Sequence, residues 1–325
     1  KMGLFEDPYG EQYSHSEMHG AESIRLSKEI ADESVVLLKN ENGLLPLNAD
    51  KLKSVAVIGP NADQVQFGDY TWSRNNKDGV TPLEGIRRLL GGKATVRYAK
   101  GCDLVSLNAG GIKEAVEAAR KSEVAILFCG SASAALARDY KSSTCGEGFD
   151  LNDLNLTGVQ GQLIKEVYET GTPVVLVLVT GKPFAISWEK KHIPAILTQW
   201  YAGEQQGRSL ADILVGNVNP SGRVNVSFPR STGNTPCFYN YYPTDRVQRF
   251  DRPGTYEEPA GHYIFEHPYA LWEFGYGLSY TTFAYSNFSV DKDGVTFTIK
   301  NTGDVEGTEI AQLYVGKQSE TIFRP

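Results

Sequence analysis

The sequence predicts an α/β fold: a sandwich of a mostly parallel sheet with helices on both faces, followed by a partial antiparallel β-sandwich. Three observations predict it. Several short runs, above all 124–129 and 173–179, are apolar without polar alternation, as strands buried on both faces are. These runs alternate with stretches of helical periodicity, the pattern of strand–helix–strand units. Near the end, three runs rich in β-branched and aromatic residues are separated by Asp293-Gly294 and Asn301-Thr302-Gly303, which read as turns between antiparallel strands.

Taken in order, residues 1–20 are loop-like, with Asp7-Pro8 and Gly10. A helix is expected over 23–40, where Ile24, Ile30, Val35, Leu37 and Leu38 follow a helical stripe and Asn40-Glu41-Asn42-Gly43 ends it. Leu44-Leu45-Pro46-Leu47 reads as a hydrophobic tether. Strands are expected over 54–58, 95–98, 124–129, 173–179 and 195–200. Helices are expected over 82–90, 111–122, 158–170 and 204–215, the last closed by Gly216. From about 219 prolines punctuate an aromatic-rich, irregular stretch. It reads as a wrap over the sandwich surface, and its part 271–280 as a packed structural loop. Runs at 288–290, 295–299 and 310–315 are the closing strands. They are too few to complete a sandwich, so the chain reads as cut inside its last domain.

Length and composition bound the function. A chain of 325 residues suggests about two domains, with 41% hydrophobic and 22% charged residues. The net charge of −7 is spread over interspersed acidic and basic residues, which argues against a nucleic-acid partner. No apolar run approaches the roughly 20 residues that span a bilayer. The chain opens on Lys1-Met2-Gly3 and turns polar at once, without a signal-peptide pattern. Cys102, Cys129, Cys145 and Cys237 form no CxxC pair, and Cys129 reads as a buried strand residue.

The candidate catalytic residue is Glu147, in Thr144-Cys145-Gly146-Glu147-Gly148-Phe149-Asp150. Two flanking glycines free the backbone. The long connection between Cys129 and Gly158 leaves the carboxyl end of a strand, where ligands of open α/β sheets sit. A general acid delivered to a substrate suits such a position; a solvated glutamate in a turn is the plainer reading. Asp139, Asp150 and Asp153 flank it, with turn capping as their default role. Gly59-Pro60-Asn61-Ala62-Asp63 follows a strand but lacks both phosphate-loop patterns. Tyr70, Trp72, Trp200 and Tyr201 offer a sugar-stacking platform or ordinary packing. Cys145 has no sequence-local histidine partner. His262 and His267, with His15, His19 and His192 scattered, are a poor metal signature. No metal and no cofactor is expected.

Several stretches together resemble glycoside hydrolase family 3. They are Ala31-Asp32-Glu33-Ser34-Val35-Val36-Leu37-Leu38-Lys39-Asn40, Leu44-Leu45-Pro46-Leu47 and Val55-Ala56-Val57-Ile58-Gly59-Pro60-Asn61-Ala62, then Tyr201-Ala202-Gly203-Glu204-Gln205-Gln206-Gly207, Pro220-Ser221-Gly222-Arg223 and Phe274-Gly275-Tyr276-Gly277-Leu278-Ser279-Tyr280. The resemblance implies four parts. Residues 1–20 are the end of a missing N-terminal (β/α) barrel and linker, with Gly3-Leu4-Phe5-Glu6-Asp7-Pro8-Tyr9 as its final residues. Residues 21–235 are an α/β-sandwich domain with a leading helix, and 236–282 an irregular aromatic-rich wrap. Residues 283–325 are a truncated fibronectin-III-like domain.

The same resemblance implies an exo-acting retaining β-glycosidase, β-xylosidase favoured and β-glucosidase close, periplasmic or secreted. Its substrate would be an oligosaccharide or glycoside, and its partner the missing barrel. The nucleophilic aspartate would lie in that barrel, so the present residues supply none. Glu147, with Gly148 and Asp150, matches the family's acid/base setting; Leu151 stands where many relatives place Arg. The residues that read the sugar are unknown. A non-catalytic carbohydrate-binding or assembly subunit, and a flavodoxin-like cofactor binder, are the other classes.

Overall fold

The computed structural model describes residues 3, 5–6, 8–9, 19–71, 73, 75–133, 143–240, 252–260 and 265–315. Helix α1 (Ala21–Ser34) leads into strand β1 (Val36–Asn40). Then follow β2 (Ser54–Ile58), α2 (Pro82–Leu90), β3 (Thr95–Ala99), α3 (Ile112–Arg120) and β4 (Val124–Gly130). After these come α4 (Gln160–Tyr168), β5 (Val174–Val179), α5 (Ser187–His192), β6 (Ala195–Thr198) and α6 (Gln206–Val215). The sheet order is β1-β6-β5-β4-β2-β3. Strands β2 to β6 are parallel, and β1 joins β6 antiparallel.

The apolar strands are buried on both faces, as their sequences require. Along β4, Ala125, Leu127 and Cys129 enter one core, with α3 and α4. Val124, Ile126 and Phe128 enter the other, with α2 and α6. The period of two along a strand distributes the residues in this way, and β2 and β5 repeat it. Two helix ends show ordinary caps. Thr81 Oγ1 accepts the Glu84 N–H at 3.1 Å at the start of α2, and Gly216 closes α6 in the left-handed conformation.

Three expectations are corrected. The helix expected over 23–40 ends at Ser34, and Val36–Asn40 is a strand. An apolar run this short fits either period; pairing with β6 decides it, and Val36, Leu37 and Leu38 are all buried. The run 310–315 is not a strand: among the described residues it has no ladder partner. Gln312 Nε2 instead donates to Gly275 O at 2.7 Å. The closing segment is therefore a two-stranded antiparallel sheet of β7 (Phe283–Val290) and β8 (Val295–Asn301). Third, α5 was not expected; its six residues, Ser-Trp-Glu-Lys-Lys-His, are too few and too polar to show a stripe.

Where it is described, the irregular segment beyond α6 packs onto the sheet layer. Phe228, Leu271 and Trp272 are buried against the face that holds α3 and α4. Leu278 N–H donates to Leu37 O at 2.8 Å, which covers the open side of β1, an edge strand that would otherwise invite pairing.

Candidate active site

The strand order contains a reversal. From β2 the chain moves outward to β3, then crosses back to β4 on the other side of β2. Helix α2 lies on one face and α3 on the other. At such a switch point the loops leaving the two neighbouring strands diverge and open a crevice beyond their carboxyl ends. The loops in question are 59–81 after β2 and 131–159 after β4. Glu147 lies in the second.

Locally, the loop is pinned at its base and turned at its tip. Thr144 N–H donates to Ala132 O at 3.0 Å, and Cys145 pairs with Ser133 in an isolated parallel bridge. Gly146 (φ 116°) and Gly148 (φ 77°) both take backbone conformations that side chains disfavour, and Phe149 N–H closes the turn onto Gly146 O at 3.0 Å. Glu147 stands between them with its side chain exposed. Its N–H donates to Asp69 Oδ2, in the loop after β2, at 2.9 Å. The carboxyl itself has no hydrogen bond or ion pair among the described residues.

Beneath the loop is a hydroxyl cluster at the ends of β4, β5 and β6. Ser131 Oγ lies 2.6 Å from Tyr201 Oη and donates to Thr180 Oγ1 at 3.1 Å. Burial, then the neighbouring Cys145 thiol, pushes the Tyr201 phenol well above its ordinary value, so it stays a neutral hydrogen-bonding group. A second, amide network fixes the loop after β2. Gln66 Nε2 donates to Asn61 Oδ1 at 2.7 Å, and Gln66 N–H to Gln206 Oε1 at 3.0 Å. Gln199 Nε2 donates to Gln206 O at 2.7 Å. These amide bonds tie the loop after β2 to the start of α6 and the end of β6. Beside Tyr201, a groove of about 430 Å³ opens between α1 and the end of β6, lined by Leu26, Ile30, Trp200 and Ala202 among others.

The model of the glycosyl hydrolase family 3 C-terminal domain matches residues 35–280. The chain belongs to glycosyl hydrolase family 3. Over its whole length it is 37% identical to a beta-xylosidase of Formosa agariphila, of which it covers 44%. It is 34% identical, again over its whole length, to a periplasmic beta-glucosidase of Salmonella typhimurium, of which it covers 45%. A solved beta-glucosidase of Listeria innocua superposes with a TM-score of 0.80 at 30% identity, over 94% of this chain and 41% of that one. The chain thus spans less than half the length of the relatives it matches.

Within this family 3 domain, the other candidates fall as follows. Asp153 caps its own turn: Asn155 Nδ2, then Asn155 N–H and Thr232 Oγ1, donate to Asp153 Oδ1 at 2.7, 3.1 and 2.9 Å and hold its carboxyl below the usual range. Asp150 is exposed. Leu151 packs against the core on the α3–α4 face. Gly59-Pro60-Asn61 is a tight turn in the amide network, with Asn61 fully buried. Tyr70 is exposed, whereas Trp200 is half-buried against Phe228, 6.2 Å between centroids, and Tyr201 belongs to the hydroxyl cluster. Burial pushes the Cys102 thiol up to about 11 and that of Cys129 well above its ordinary value, so both are inert packing groups. Trp72, Asp139, His15 and His262 lie outside the described residues. Among the described residues no group of three or more His, Cys, Asp or Glu is placed to hold a metal, and no helix is long and apolar enough to cross a membrane. Sequence reasoning missed Asp69 and the network role of Gln66 and Gln206. Asp69 sits in Phe67-Gly68-Asp69-Tyr70, where only the adjacency of β2 and β4 reveals its partner.

Proposed function

We propose that the full-length protein is an exo-acting retaining β-glycosidase, β-xylosidase rather than β-glucosidase, with Glu147 as acid/base and an aspartate nucleophile outside this chain. The observation that carries the reading is a carboxyl on a glycine-flanked turn at the switch point, held by its backbone and with no side-chain partner among the described residues. Such a group can be presented to a cavity that other parts of the protein build. In the retaining mechanism two carboxyls flank the glycosidic bond at about 5–5.5 Å. The nucleophile attacks the anomeric carbon while Glu147 gives its proton to the departing oxygen. The anionic Glu147 then takes a proton from water, which attacks the glycosyl-enzyme and frees the nucleophile. The preference for β-xylosides rests on the 37% identity to the Formosa enzyme. A periplasmic or secreted location rests on the named compartment of the Salmonella relative. The β7–β8 sheet belongs, in this reading, to a fibronectin-III-like domain.

The test is Glu147→Gln in the full-length protein. A proton donor contributes roughly 10²–10⁴-fold, so turnover of an alkyl β-glycoside should fall by about that factor. A 2,4-dinitrophenyl glycoside, whose leaving group needs no proton, should lose far less in the glycosylation step. Equal losses on both would refute the acid role. Aryl β-xyloside against aryl β-glucoside, compared as kcat/KM, decides the sugar.

A further inference from the structure

The loop after β2 carries a residue that the reaction scheme leaves unassigned. Asp69 lies in a segment that fixes itself. Thr71 Oγ1 donates to Gly68 O and Ser73 O at 3.2 and 3.0 Å, and Asn76 bridges Asp63 O and the Val65 N–H at 2.8 and 3.0 Å. From this footing Asp69 Oδ2 accepts the Glu147 N–H at 2.9 Å. Asp69 Oδ1 is buried and has no hydrogen-bond partner among the described residues. Burying one oxygen of a carboxylate without a partner is unfavourable, so packing alone does not account for an acid here. Opposite it, the Glu147 turn has a positive-φ glycine on each side and is closed by the Phe149 N–H on Gly146 O. A charged acceptor makes the stronger class of hydrogen bond, and it takes hold of the one atom of Glu147 that leaves the carboxyl unencumbered.

We propose that Asp69 is a positioning residue for acid/base catalysis: it sets the place of the Glu147 turn through the Glu147 N–H. The proposal rests on the assignment of Glu147 as the acid/base. A displacement of about 1 Å in a catalytic group costs on the order of 10²-fold. In the full-length protein, Asp69→Ala should therefore lower kcat on an alkyl β-glycoside by about 10- to 100-fold at little changed KM. On the dinitrophenyl glycoside the loss in kcat/KM, which reports the glycosylation step alone, should stay within about 3-fold, because that leaving group bypasses the proton there. Asp69→Asn keeps an amide oxygen for the same N–H and should restore most of the activity. Hydrogen exchange read at the Glu147 amide should be slowed in the wild type relative to Gly148 and about 10-fold faster in Asp69→Ala.

Equal losses on both glycosides, no rescue by Asn, or a Glu147 amide unprotected in the wild type would each overturn the proposal. The last measurement needs no variant and so survives a misfolded Asp69→Ala. If Glu147→Gln shows no dependence on the leaving group while the amide is protected, the contact exists but the acid assignment is wrong, and the positioning role falls with it. If Glu147→Gln shows that dependence and Asp69→Ala does not, only the positioning role fails.

Discussion

Replacing Trp272 by Phe tests how the irregular segment is locked to the sheet. Trp272 is 2% exposed, and its Nε1–H donates to Leu38 O at 3.0 Å. That carbonyl is special. In the β1–β6 ladder Leu37 faces Leu197 and Lys39 faces Ile196, so Leu38 is the extra residue of a bulge. A bulge leaves its extra residue without ladder partners, and the indole supplies one. The ring also lies 5.7 Å, edge to face, from Phe228, with Lys190 Nζ 4.8 Å from its centroid. Phe keeps most of the apolar contact and a weaker attraction for Lys190, but orphans a buried carbonyl. An orphaned buried acceptor costs about 1–3 kcal/mol, and the weakened cation–π contact and lost ring area add about 1 kcal/mol. The total of about 2–4 kcal/mol corresponds to a fall of roughly 4–16 °C in the transition of a domain this size. The assay is thermal unfolding of the full-length protein followed by far-ultraviolet circular dichroism, with urea unfolding as a second axis. A loss below about 1 kcal/mol would refute the reasoning, because it would mean that the bulge carbonyl does not depend on the indole.

Two further outcomes follow from buried groups away from the crevice tip. Glu189 is 7% exposed, and burial raises its carboxyl above the ordinary value of 4.5, outweighing Lys165 and His192. A folded-state value raised above the unfolded one stabilises below the unfolded value and loses that benefit as pH rises through the folded one. Glu189→Gln should therefore raise the unfolding temperature at pH 7 by about 1–3 °C, with the gain vanishing near pH 4; a gain that persists at pH 4 would contradict the cause. Gln206→Leu orphans the buried Gln66 N–H. It should cost about 1–3 kcal/mol in urea unfolding and lower turnover beyond the unfolded fraction, since the loop carrying Asp69 loses its anchor.

Much of the fold was legible because burial writes itself into the strands. The run Val174–Val179, four of its six residues β-branched, reads as a strand covered on both faces, and the bounds of α2 agree with Thr81, Pro82 and Gly91. The parts that were not legible are those that pairing decides. Val36, Leu37 and Leu38 fit a helix as well as a strand until β6 lies beside them. The run 310–315 is as apolar and aromatic as a strand and yet finds no edge among the described residues. The site divides in the same way. The turn that carries Glu147 was legible, because two glycines around one carboxylate mark a turn. Asp69 was not, since its partner is 78 positions away and the link exists only because β2 and β4 are neighbours in the sheet.

That adjacency also explains why the anchor is an acid gripping an amide rather than a base gripping the carboxylate. A lysine or arginine paired with Glu147 would fix its side chain, but would favour the charged, acceptor-only form. The acid/base role proposed for Glu147 requires giving up a proton and taking one back, which that form does not allow. Holding the turn by its N–H separates the two requirements: position comes from the backbone, and proton exchange is left to the side chain. The cost is that the anchor must be reached from outside the loop itself, because Gly146 and Gly148 contribute no side chains. At a switch point the nearest independent backbone is the loop after the adjacent strand, which is where Asp69 stands.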